Sequence, residues 1–136
     1  METKIFLNLA VKDLNKAISF FTELGFSFNS KFTNDKGTCL IIGPNINVML
    51  LVEEFYKTFT DKEICNTDTS SEVLISISVE TREKVDEMIE KAVKAGGTDY
   101  NRANDYGWMY QKTFLDLDGH HWEVFFMDES QIPDNM

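Results

Sequence analysis

The chain has 136 residues, 13 of them basic and 23 acidic, for a formal net charge of -10, with 43% apolar and 26% charged residues. Its 11 Phe, 4 Tyr and 2 Trp against 7 Gly and 2 Pro give enough apolar area to offset the entropy of folding, which excludes a disordered chain and fits one domain or two small halves sharing a core. The acidic balance repels phosphodiester backbones and anionic lipid, so nucleic acid and membrane are excluded as partners, and a small-molecule ligand or a second copy of the chain is expected.

No apolar stretch approaches the ~20 residues needed to cross a bilayer, and the apolar run after Met1-Glu2-Thr3-Lys4 is too short for a signal peptide. A cytoplasmic location is the expectation. Cys39 lies in an apolar run and Cys65 in a polar one, so a disulfide would join core to loop, and two free thiols are the ordinary state in a reducing compartment. No CxxC or Cys/His zinc spacing is present.

Residues 4–11 alternate in polarity and read as a strand. Asp13 offers an N-cap, Leu14, Ala17, Ile18, Phe21 and Leu24 recur at helical spacing, and Gly25 supplies the stop. Residues 26–32, 38–42 and 46–52 read as three further strands, separated by the turn chemistry of Asn34-Asp35-Lys36-Gly37 and Gly43-Pro44-Asn45. A short amphipathic piece, 53–60, leads into a polar linker, 61–71. Residues 73–79 alternate again; Thr81 caps a second helix carrying Val85, Met88, Ile89, Ala92 and Val93, which ends at Gly96-Gly97. Strands are expected at 98–102, 108–117 and 120–127, the last two joined by a two-residue Asp118-Gly119 hairpin.

The second half restarts the pattern of the first. With Val11 matched to Val79, Ala17 matches Val85, Phe20 and Phe21 match Met88 and Ile89, and Gly37 falls within two residues of Gly107. The expected fold is α+β: two repeated β-α-β-β-β modules, 1–60 and 72–128, forming a curved, barrel-like mixed sheet around a central cavity, related by a pseudo-two-fold axis and followed by an acidic, solvated tail at 129–136. Period two assigns the strand faces. Ile5, Leu7, Leu9 and Val11, with Ile75, Ile77 and Val79, are expected under the helices. Phe6, Asn8 and Ala10, with Leu74, Ser76 and Ser78, are expected to face the cavity, as are His121, Glu123 and Phe125 of the last strand.

The stretch from Leu9-Ala10-Val11-Lys12-Asp13-Leu14 through Phe20-Phe21-Thr22-Glu23-Leu24-Gly25-Phe26, and the closing Asp116-Leu117-Asp118-Gly119-His120-His121-Trp122-Glu123-Val124, resemble the vicinal oxygen chelate superfamily, which includes glyoxalase I, bleomycin and fosfomycin resistance proteins and extradiol dioxygenases. With the duplication, the likeness covers nearly the whole chain. The resemblance implies that metal-dependent members take ligands from four strand positions, here Phe6, Met49, Leu74 and Glu123. Phe6 and Leu74 carry no donor atom, and a thioether such as Met49 is a poor ligand for hard or borderline ions. No metal and no cofactor are therefore expected. The implied function is bleomycin-resistance-like binding of a small organic molecule in the inter-module cavity. The alternative is a lactoylglutathione lyase (glyoxalase I) type of lyase acting on a thiohemiacetal through a divalent metal, zinc or nickel; a third reading is a side-chain-filled cavity and a protein that acts through its dimer interface.

Glu123 is the one candidate catalytic group, since an apolar cavity wall would favour general acid or base work by a carboxylate; its bland reading is a pairing with His121 or Asn8. The candidate ligand-binding set is Phe6, Asn8, Met49, Leu74, Ser76, His121, Glu123, Phe125 and Trp108, with Ser76 and Ser78 as hydrogen-bonding groups and no nucleophile among them. Tyr100, Arg102, Tyr106, Trp108 and Tyr110 line the cavity mouth or serve sheet packing and a dimer surface. Asp116 and Asp118 are expected to shape the hairpin, and His120 to be a turn residue. A homodimer is expected because four-stranded sheets leave open edges.

Overall fold

The computed structural model describes residues 1–134. The chain divides into two compact units, with the boundary between Asn66 and Thr67. The first unit runs β1 (Ile5–Val11), α1 (Leu14–Glu23), β2 (Ser27–Asn29), β3 (Gly37–Gly43), β4 (Ile46–Val52) and a one-turn α2 (Glu53–Tyr56). The second runs β5 (Leu74–Ser78), α3 (Arg82–Lys94), β6 (Thr98–Asp105), β7 (Met109–Leu115) and β8 (His121–Met127). The strands pair as two four-stranded sheets, ordered β1-β4-β3-β2 and β5-β8-β7-β6. Replacing each strand of the first by its sequence counterpart gives the second, so the internal repeat is a repeat of topology. In each, the first and last strands are parallel neighbours and the remaining ladders are antiparallel.

Both helices begin as the sequence dictates. The Asp13 carboxylate accepts from the Lys16 N–H at 3.0 Å, and the Thr81 hydroxyl accepts from the Lys84 N–H at 3.1 Å, each satisfying a donor that the first helical turn leaves unpaired. Both end on glycines in the left-handed region, Gly25 at φ 99° and Gly96 at φ 104°. The first core gathers Leu14, Ala17, Phe20, Phe21 and Leu24 of α1 over Leu9, Val11, Leu40, Val48 and Leu50. The second gathers Val85, Ile89 and Ala92 of α3 over Phe114, Trp122 and Val124, with the Phe114 and Trp122 rings stacked at 6.2 Å.

Several expectations are corrected. Ile5 is 60% exposed and not under α1: a ten-residue helix spans about 15 Å while a seven-residue strand spans over 20 Å, and α1, starting at the Val11 end, packs on β3 and β4. Val93 is likewise exposed. The strand expected at 26–32 stops at Asn29, because the Asn29 side chain accepts from the Lys31 N–H and turns the chain into a 3₁₀ turn, Ser30–Phe32. The connection from β7 to β8 is a five-residue loop, 116–120, closed by Asp116 N–H to the His120 carbonyl at 3.1 Å. Of the tail, Glu129–Gln131 forms a 3₁₀ turn capped by Asp128, while positions 135 and 136 lie outside the described residues. Cys39 is buried and Cys65 half-buried, both as free thiols. No helix among the described residues is long and apolar enough to cross a membrane.

Candidate functional site

In the second unit, α3 packs against β6, β7 and β8, so the opposite sheet face, called the open face below, is the one its helix does not cover. Period two and the ladder registers put nine side chains on that face in three rows: Leu74, His121 and Leu115; Ser76, Glu123 and Thr113; Ser78, Phe125 and Gln111. Glu123 holds the centre. It is half-buried, and its Oε1 accepts from the exposed Ser76 hydroxyl at 2.5 Å. Its partner is therefore Ser76 of the neighbouring strand and not His121 of its own; the Asn8 amide donates to the Phe6 carbonyl of its own strand. The His121 ring meets the Tyr100 ring edge-on, with centroids 4.6 Å apart, and the Arg102 guanidinium lies over Tyr100 at 5.4 Å. Leu74 is 55% exposed and Tyr100 38%. The arrangement offers one carboxylate acceptor, the exposed Ser76 hydroxyl beside it and an aromatic rim, while Thr113 is buried.

The corresponding rows of the first unit are Phe6, Asn47 and Ile41; Asn8, Met49 and Cys39; Ala10, Leu51 and Gly37. Met49 stands where Glu123 stands, and Phe6 where Leu74 stands. Cys39, Asn47, Leu51 and Ala10 are buried. The Cys39 thiol donates to Asn47 Oδ1 at 3.6 Å, and burial pushes that thiol's pKa up, which keeps it protonated and inert. A Cβ at Gly37 would come within 2.7 Å of the Leu51 side chain and 2.9 Å of the Leu50 carbonyl, so that corner is packed to the backbone. Phe6 and Phe32 meet edge-on at 6.4 Å.

A metal fits neither face. The described residues hold no group of three or more His, Cys, Asp or Glu side chains suited to an ion, and the four strand positions that the resemblance implies for ligands hold Phe6, Met49, Leu74 and Glu123, with one carboxylate among them.

The aromatic cluster read from 100–110 divides three ways. Tyr100 and Arg102 reach the open face. Tyr110 points under α3, its hydroxyl donating to Asp86 Oδ1 at 2.6 Å with Arg82 over its ring at 4.4 Å. Trp108 stacks on Tyr106 at 6.3 Å beyond the end of β7, roughly 15 Å along the strand from the position opposite Glu123, so it is not brought to this face. His120 is more than a turn residue: it is buried, with Nδ1 2.6 Å from Glu72 Oε1. Asp116 shapes the loop, accepting from the N–H groups of Asp118 and His120. It also binds the Trp122 indole N–H at 2.9 Å, and burial raises its pKa. Thr113 escaped the sequence reading, although period two on β7 was sufficient to place it beside Glu123.

A family model, the Glyoxalase/Bleomycin resistance protein/Dioxygenase superfamily, matches residues 5–124. The chain belongs to this superfamily. A hypothetical protein, SA1046 from S. aureus, is 30% identical, with a TM-score of 0.79 over 93% of this chain and 94% of that one. The fold is shared at lower identity by a superfamily enzyme from Burkholderia phytofirmans PsJN, at 18% identity and TM-score 0.74 over 90% and 96% of the two chains. It is shared too by the fosfomycin resistance protein FosX from Listeria monocytogenes, at 19% and 0.66 over 93% of each. No curated protein matches. Superfamily membership leaves the ligand open, because one fold carries many chemistries.

Proposed function

We propose that this superfamily member binds a small organic molecule without a metal, on the open face of the second sheet, and that Glu123 is the group that orients it. The observation that carries this reading is the half-buried Glu123 carboxylate at the centre of that face, steadied by Ser76 and bordered by the Tyr100–His121 pair. A carboxylate so placed accepts hydrogen bonds from amide, amine or guanidine donors, and an aromatic rim stacks on planar rings. The ligand class is thus a planar molecule bearing N–H donors. Sequestration needs nothing further, and proton transfer by Glu123 is the one catalytic step that the same residues support. A glyoxalase-type reaction finds no support in the donor set, since a Lewis acid needs three or four protein ligands.

Metal-free bleomycin, which carries a planar bithiazole and many N–H donors, is a suitable probe. Amide resonances of Ser76, His121 and Glu123 should shift saturably on its addition, and Glu123→Ala should abolish the effect. Zinc and nickel should neither shift those resonances nor confer turnover of methylglyoxal with glutathione. Stoichiometric metal at Glu123, or probe shifts confined to other surfaces, would overturn the reading. We further propose a homodimer, because each sheet has open edge strands and Ile5 and Ile46, paired across β1 and β4, are 60% and 49% exposed. Sedimentation at micromolar concentration should show twice the 15.7 kDa chain mass; a monomer alone would refute it.

A further inference from the structure

β6 departs from a regular strand where it passes the open face. The ladder with β7 pairs Asp99 with Phe114, skips, and resumes at Ala103 with Lys112. Between them Asn101 is the one non-glycine described residue in the left-handed region, at φ 55°, and its N–H is held by Asp99 Oδ1 at 2.8 Å. A bulge of this kind re-aims the side chains around it. Here it sends Tyr100 inward across the face to His121 of β8, two strands away, and stacks Arg102 on the outer side of Tyr100. At the other end of β6, Arg82 of α3 binds Asp105, so the strand is tied down beyond the bulge. The result sets guanidinium, phenol ring and imidazole ring in contact on the face where the next row carries the Glu123 carboxylate and the Ser76 hydroxyl.

Resting on the ligand reading above, we infer that this array selects amphoteric planar molecules, with an acidic group directed to Arg102, the ring against Tyr100 and His121, and an N–H donor directed to Glu123. The two ends of the site carry opposite charge, and the surface between them is made of ring edges and faces, which suit a flat body. Arg102 is exposed and presents the planar fork that suits carboxylate, sulfonate or phosphonate groups, while its stacking on Tyr100 limits the freedom lost on binding. Glu123 at the far end rejects acids and accepts donors. A ligand lacking either end group loses one charge-assisted hydrogen bond, and a ligand reversed end for end sets its acid against Glu123 and its N–H donor against the donors of Arg102.

The test uses 6-amino-2-naphthoate, which is fluorescent, flat and amphoteric, against 2-naphthoate, which lacks the donor, and 2-aminonaphthalene, which lacks the acid. The full chain should bind the amphoteric compound at least about five-fold more tightly than either truncated one, the value of one modest hydrogen bond. Arg102→Gln should erase the preference over 2-aminonaphthalene and leave the preference over 2-naphthoate; Glu123→Ala should do the reverse. Tyr100→Ala should weaken all three, and Tyr100→Phe should not. Asn101→Gly, which keeps the left-handed backbone, should behave as the natural chain, whereas Asn101→Val should behave as Tyr100→Ala. Each variant's fold is checked by its Trp122 indole N–H resonance. Equal binding of the three compounds, or an acid preference that survives Arg102→Gln, overturns the assignment. If bleomycin still shifts Ser76 and Glu123 in that case, the ligand reading survives alone; if neither probe reaches Glu123, both fall.

Discussion

The two sheets share strand order and ladder direction, yet the faces away from their helices differ in kind. In the first, the central row is Asn8, Met49 and Cys39, with Cys39 fully buried and Gly37 packed against Leu51. In the second it is Ser76, Glu123 and Thr113, with a half-buried carboxylate beside the exposed Ser76 hydroxyl and Thr113 buried behind it. A duplicated module therefore fixes where side chains point without fixing what they do. The difference at the central residue, Met49 against Glu123, leaves the first face without a charged group and gives the second a carboxylate.

The largest effect that tests this contrast lies on the helix-facing side. Trp122 and Val48 occupy equivalent positions, paired with Ile75 and Leu7, and both are buried. Trp122→Ala should cost about 3–5 kcal/mol, since it removes the ring stacked on Phe114 and strips the buried Asp116 Oδ2 of its indole donor. Val48→Ala should cost only about 1–3 kcal/mol. Urea unfolding followed by far-ultraviolet circular dichroism measures both. Equal losses would mean that the two cores are equivalent, and that the second does not depend on the Trp122 ring.

On the open faces the exchange runs the other way. Met49→Glu puts a charge beside the buried Cys39 and Asn47 and should cost about 1–3 kcal/mol at pH 7. That loss should shrink as the pH falls and the new carboxyl is protonated. Glu123→Met removes a carboxylate from a solvent-accessible face, where Ser76 can turn to water, and should stay within about 0.5 kcal/mol. A large loss from Glu123→Met would mark the carboxylate as a structural group and weaken its assignment to a ligand.

Much of this was legible because the signals were local. Asp13, Thr81, Gly25 and Gly96 bound their helices through contacts within four residues, and period two sorted Trp122 from Glu123. Where the reading failed, a partner distant in sequence decided the outcome. Glu72 joins His120 across 48 residues, and no local pattern announces a buried imidazole. Tyr110 left its aromatic neighbours because Asp86 and Arg82 of α3 hold it on the helix side. Ile5 obeyed its period but outran a short helix. At β2, Asn29 competed for the backbone with its own side chain, a preference that the apolar run around it concealed.

The smallest expected effect separates the ways the two helices are held. α1 is seated by Phe20 and Phe21, fully buried rings in edge contact at 5.0 Å, whereas α3 buries only Val85, Ile89 and Ala92 and adds polar ties. Asp86 Oδ1 lies 2.7 Å from Lys112 Nζ and accepts the Tyr110 hydroxyl at 2.6 Å. The bond from Lys112, then that from Tyr110, holds the Asp86 carboxyl below its usual value, and the same pairing raises Lys112. A carboxyl with a lowered folded pKa contributes stability that is complete above the ordinary aspartate value of about 3.9 and is lost as the pH falls through the lowered one. Because both side chains remain substantially exposed, that contribution should be under about 1 kcal/mol. Asp86→Asn should therefore destabilise the protein slightly at pH 6 and progressively less as the pH falls through the lowered value, and salt should reduce the difference at pH 6. Phe20→Leu should cost about 1–2 kcal/mol across the same range, since ring packing carries no proton. An Asp86→Asn effect that persists unchanged as the pH falls would show that α3, like α1, is held by shape and that its ion pairs are ornaments of the surface.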